Sequence, residues 1–150
     1  MQAVSHKVFN GILASDLLIC CYKQSPLLTS CIAGGLIVFS SFPDKIEQLG
    51  LKHRGISHSV IAYLGLACFY FWASGFLNQY FDWICYMGFG FVAGCLGHIL
   101  ADMFSKNGVK VMGAKFNFGL YSTGTISEQI FLFGFALVNY LLIYFFALAK

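Results

Sequence analysis

Gln129-Ile-Phe-Leu-Phe-Gly-Phe-Ala-Leu-Val-Asn-Tyr-Leu-Leu-Ile-Tyr-Phe-Phe-Ala-Leu-Ala149 is a run of 21 residues that holds no charge. At the α-helical rise, a run of this length reaches about 30 Å, the thickness of the hydrocarbon core of a bilayer. Backbone placed there finds no water to bond, so it must close its own hydrogen bonds as a helix. The stretch is read as a transmembrane helix over 129–149. Four further apolar runs, at 7–22, 26–42, 57–76 and 80–101, read the same way.

Composition agrees with this reading. Of 150 residues, 59% are hydrophobic and 10% charged, with a mean hydropathy of +0.76. A soluble domain carries about 25% charged residues, so most of this surface must face lipid. The expected architecture is all-α: a polytopic transmembrane bundle of about five membrane-embedded helices, forming one integral membrane domain over 1–150. The start, Met1-Gln-Ala-Val-Ser-His-Lys7, has no basic region before the apolar run and no small-x-small site after it, unlike a cleaved signal peptide. The six cysteines form no CxxC pair and read as small buried hydrophobes.

The first two runs are joined by Tyr22-Lys-Gln-Ser-Pro26, a tight turn with a proline suited to the first turn of a helix. They are expected to form a helical hairpin. The stretch 103–128 is too polar and Gly-rich to span, and reads as a loop folded over one face. In the fourth run Gly90 and Gly94, and Ala93, Gly97 and Ala101, recur at four-residue spacing, which lets helix backbones approach closely.

Five spans place the N-terminus and the loops at 43–56 and 102–128 on one side. Lys7, Lys45, Lys52, Arg54, Lys106, Lys110 and Lys115 fall there; Lys23 and Lys150 fall on the other. The positive-inside rule makes the first side cytoplasmic, in a bacterial-type inner membrane.

Ionisable groups near spans point to function. All four histidines (His6, His53, His58 and His98) map to the cytoplasmic side, with Asp44, Asp102 and Glu128. His98 and Asp102 are an i, i+4 pair, so one helix face presents both to a single ion. His53 is expected on the loop and His58 in the first turn of the third helix, where Ser57 or Ser59 serves as cap. Asp44 follows Pro43 at the end of the second helix, where the helix dipole gives a carboxylate no reason to sit. Glu128 also suits a helix N-terminus. Asp16, inside the first run, has no assigned role.

His53-Arg-Gly-Ile-Ser-His58-Ser, followed by Gly97-His-Ile-Leu-Ala-Asp102-Met-Phe-Ser-Lys-Asn-Gly108-Val, resembles the YdjM-like family of membrane-bound, metal-dependent hydrolases. Phe42-Pro-Asp44 is similar to that family's LPDxD motif, Ser5-His6 to its N-terminal Gly-His, and Gly124-Thr-Ile-Ser-Glu128 to its late turn ending in Glu. Ile46 stands where the family has a second acid, with Glu47 beside it. In ligand types the set is also distantly similar to zinc-dependent phospholipase C. The expected metal site has His58, His98 and Asp102 as core ligands, joined by Asp44 and His53; His6 and Glu128 complete a second ion or act as general base, and Glu128 and Asp44 are the expected catalytic residues.

Mixed nitrogen and oxygen ligands suit Zn²⁺, with Mn²⁺ or Fe²⁺ as alternatives. The expected reaction is hydrolysis of a phosphoester or lipid headgroup at the cytoplasmic interface, with Lys52, Arg54, Lys106 and Lys110 drawing in an anionic substrate. The lipid bilayer is the expected partner, with an oligomer or a larger membrane complex open; nucleic acid is not expected. The reading from a different class is a non-catalytic membrane subunit or a metal-binding carrier.

Overall fold

Pro26 opens the second helix at its first turn, where its missing N–H costs nothing because that position has no helical partner. The computed structural model describes residues 3–48, 59–111 and 114–148. Helix α1 runs Ala3–Cys21 and α2 Pro26–Val38. The Cys21 carbonyl ties the turn between them, accepting from the Gln24 and Ser25 amides and from Thr29 Oγ1 at 3.0, 3.3 and 3.3 Å. Ala14, Ala33 and Leu36 form the buried seam of this helical hairpin.

The second run does not stay a plain helix to residue 42. It tightens into a 3₁₀ turn at Phe39–Ser41 and resumes as α3, Phe42–Gln48. Pro43 supplies the cause. It has no N–H for the Phe39 carbonyl and its ring crowds that oxygen, so the Phe42 N–H bonds Phe39 instead.

Beyond Ser59, whose hydroxyl accepts from the Ala62 amide as an N-cap, lies α4, a helical run over Val60–Phe104. It doubles back on itself. Tyr63, Cys95, Ile99 and Val109 form one buried cluster, and the Tyr70 ring lies against Gly88. A straight helix would hold Tyr63 and Cys95 about 48 Å apart. Two arms, Val60–Phe76 and Trp83–Phe104, therefore lie antiparallel with the reversal between them, which matches the two helices expected from the sequence.

The small residues of the second arm seat it on α2. A Cβ at Gly35 would fall on the Gly90 backbone, and one at Gly94 on the Gly35 carbonyl. Only glycine at these crossings lets the backbones come so close.

The loop after α4 is stitched to the helix end by Phe118 N–H to Met103 O (2.8 Å), Leu120 N–H to Phe104 O (2.9 Å) and Lys106 N–H to Tyr121 O (2.9 Å). A short antiparallel ribbon, β1 (Val109–Val111) with β2 (Ala114–Phe116), projects from it. Helix α5, Ile126–Leu148, leans on α1 through Phe131 and Phe135, which stack on Phe9. Phe133, Tyr140, Leu142 and Phe145 are exposed, a surface suited to lipid. Among the described residues, four helical segments are long and apolar enough to cross a membrane. This is an integral membrane protein.

Candidate metal centre

Chain direction gathers the polar residues. Helix α1 starts, α2 and the second arm of α4 finish, and α5 starts at one end of the bundle. That end receives His6, Asp44, His98, Asp102 and Glu128.

His98 and Asp102, one turn apart, face α1 and the Phe39–Ser41 turn. His98 Nε2 lies 3.4 Å from Asp44 Oδ1 and 3.7 Å from Asp102 Oδ2, and His6 Nε2 lies 3.4 Å from Asp102 Oδ1. The two imidazoles stack with centroids 3.7 Å apart at 21°. One ligand atom from each of His6, His98 and Asp102 lies within 4.8 Å of the others, and all three residues are buried.

The hydrogen bonding of His98 sets its chemistry. Its Nδ1 lies 2.5 Å from the Ser40 carbonyl oxygen. That oxygen can only accept, so Nδ1 carries the proton and neutral His98 turns its Nε2 electron pair toward two carboxylates. Electron pair against carboxylate is repulsive unless positive charge lies between. A proton on Nε2 points at one oxygen at a time, whereas a cation among these atoms meets all of them. Four ligands around zinc at about 2.0–2.1 Å stand about 3.4 Å apart; the His6–Asp102 and His98–Asp44 separations equal that edge and His98–Asp102 is slightly longer. The donor set of two imidazoles and the Asp102 carboxylate, with one imidazole anchored on a backbone carbonyl and Asp44 beside it, could hold a divalent transition metal.

The surroundings hold the second arm's end in place. Ser105 Oγ donates to the Asp102 carbonyl at 2.8 Å, and the Tyr121 hydroxyl to the Ala101 carbonyl at 2.6 Å. Tyr121 is buried beneath Phe131. Burial pushes its phenol above the ordinary value, and the Asp102 and Glu128 carboxylates push it further the same way. Its proton therefore stays in place as a donor.

Of the expected ligands, the fold brings together His6, His98, Asp102 and Asp44. Asp44, with its side chain 37% exposed, forms the open edge. His53 and His58, with Lys52 and Arg54, lie outside the described residues. Glu128 is buried in the first turn of α5, where its Oε2 accepts from the Gly124 amide at 2.6 Å.

Three participants carried weaker signals. The Ser40 carbonyl could be suspected only from a Ser-Ser pair just before Pro43. Asn10, 0% exposed, sits one turn along α1 from His6, a polar residue in an apolar run. Tyr121 left no mark in the sequence to distinguish it from seven other tyrosines.

No curated protein and no solved structure matches the chain. The profile of the family described as YdjM inner membrane protein matches residues 13–149, nearly the whole length and including the His98–Asp102 pair. The chain belongs to the YdjM inner membrane protein family.

Proposed function

We propose that this protein is a membrane-bound metal-dependent hydrolase whose site opens at the cytoplasmic interface, on a phosphoester or lipid-headgroup substrate. The observation that carries the reading is the His98 ring, with Nδ1 on the Ser40 carbonyl and Nε2 facing Asp44 and Asp102. His6, His98 and Asp102 would hold the ion, with Asp44 at its open edge and His53 and His58 as further ligands from the preceding segment. Zn²⁺ is the first choice, and Mn²⁺ or Fe²⁺ fit the same donors. Such an ion lowers the pKa of water to about 7 and polarises the bond attacked.

The chain's own residues do the rest. Ser40 holds His98 in the tautomer that leaves Nε2 available. Asp44, at the exposed edge, accepts a proton where water can reach it. Glu128 is the second carboxylate of this reading, held from the loop side by the Gly124 amide. Lys7, Lys45 and Lys106 are exposed near the same end. They favour an anionic substrate, and by the positive-inside rule they also favour cytoplasmic orientation.

The test is metal analysis of the purified protein together with a panel of phosphomonoester, phosphodiester and phospholipid substrates, on the native chain and on Asp102→Ala. Bound transition metal and metal-dependent turnover, both lost in Asp102→Ala, support the reading. A metal-free native protein refutes it.

One observation favours a second reading, a non-catalytic metal-binding membrane subunit: His6, His98 and Asp102 are all buried. A tightly bound ion with no turnover on any substrate would select it.

A further inference from the structure

The two histidines of the cluster are held differently. His98 hands its Nδ1 proton to the Ser40 carbonyl, but His6 Nδ1, equally buried, has no partner among the described residues. A metal-ligating histidine donates its second ring N–H to a fixed acceptor, which sets the tautomer and raises ligand basicity. One turn along the same face of α1 is Asn10, fully buried, and both its Oδ1 and Nδ2 are likewise unpaired. Its carboxamide lies directly over Gly97, where a Cβ would collide with it. Gly97 precedes His98, so the amide lies against the helix that carries the other ligands.

An amide buried in an apolar bundle with no partner costs free energy, and leucine would fill the same volume without that penalty. The i, i+4 spacing brings Asn10 within reach of His6.

We propose that Asn10 is a positioning residue for the metal centre: across one buried water its carboxamide oxygen accepts the His6 Nδ1–H, and so leaves His6 Nε2 to the ion. The inference rests on the metal reading above. It adds the element that gives His6 what Ser40 gives His98.

The experiment measures Zn²⁺ and Mn²⁺ affinity of the purified full chain, with Asn10→Leu, Asn10→Asp and Asn10→Ala beside the native protein. Melting temperatures without metal are recorded for each. The expected result is a 10–100-fold loss of metal affinity in Asn10→Leu and Asn10→Ala, the range for removing a ligand's outer partner. Asn10→Asp, whose carboxylate accepts the same N–H, should bind within a few-fold of the native chain. Metal-free Asn10→Leu should melt close to the native protein, because leucine removes the unpaired Nδ2 along with the bridged acceptor.

If Asn10→Leu does not fold, the contrast between Asn10→Ala and Asn10→Asp decides. Native-like affinity in the folded leucine or alanine variant overturns the inference and leaves the metal reading standing. Failure of Asn10→Asp to restore binding lost in Asn10→Ala also overturns it. A native chain that binds no ion removes both.

Discussion

His6 and His98 stack face to face, 3.7 Å between ring centroids, although they come from the first and fourth expected helices. Two imidazoles in this arrangement cannot both carry a full positive charge without strong repulsion. The carboxylates of Asp102 and Asp44 beside them nonetheless call for positive charge. A single shared cation would meet both demands.

Chelation should therefore destabilise the native protein. An ion at a hundred times its Kd adds about 2.7 kcal/mol to folding, equivalent to roughly 5–10 °C in Tm for a chain of this size. Thermal unfolding in detergent, with and without chelator, checks this. The shift should vanish in His98→Ala; a shift that persists there places the ion elsewhere.

Asp44→Asn separates ion binding from proton transfer. The amide keeps an oxygen at the exposed edge and loses the base, so turnover should fall by about 10²–10⁴-fold while metal per chain stays at the native level. Both quantities are to be read on one preparation. Loss of the ion in step with activity would make Asp44 a ligand alone.

Tyr121→Phe removes the 2.6 Å bond to the Ala101 carbonyl. The expected cost is about 0.5–1.5 kcal/mol, visible as a lower Tm. The pH dependence has a definite sign. The folded phenol is held above its ordinary value of 10.0, so above that pH the unfolded chain loses this proton first. Stability then falls as pH rises. Equilibrium unfolding above pH 10 should decline less steeply in Tyr121→Phe than in the native chain.

Gly90→Ala places a methyl against the Cys31 carbonyl, whereas Gly134→Ala meets nothing within 4 Å. The first should destabilise by about 1–3 kcal/mol through overpacking. The second should stabilise by about 0.5–1 kcal/mol through backbone entropy. Equal effects would mean that α2 and α4 do not cross at these glycines.

The helices were legible because lipid leaves apolar backbone little choice. The run at 129–149, the hairpin around Pro26 and the pair 57–76 and 80–101 all appear, the last as two arms of one doubled-back helix. The glycine spacing of the fourth run also predicted contact, and Gly90, Gly94 and Gly97 each meet another helix. The second run was read less well. In sequence Pro43 marks only the helix end, yet its missing N–H shifts the ladder to 3₁₀ geometry at the turn that offers Ser40 to His98.

The sequence by itself determined the class of protein, the number of apolar helices and the end of the bundle where His6, His98, Asp44, Asp102 and Glu128 collect. Each of these follows from hydropathy and from the alternation of chain direction, which are local properties summed along the chain. Tertiary structure decided which of those residues touch. Only helix packing stacks His6 on His98, turns the Ser40 carbonyl onto an imidazole and seats Asn10 over Gly97. These are distances between segments remote in sequence, set by how closely glycines let backbones approach, and no spacing along the chain encodes them.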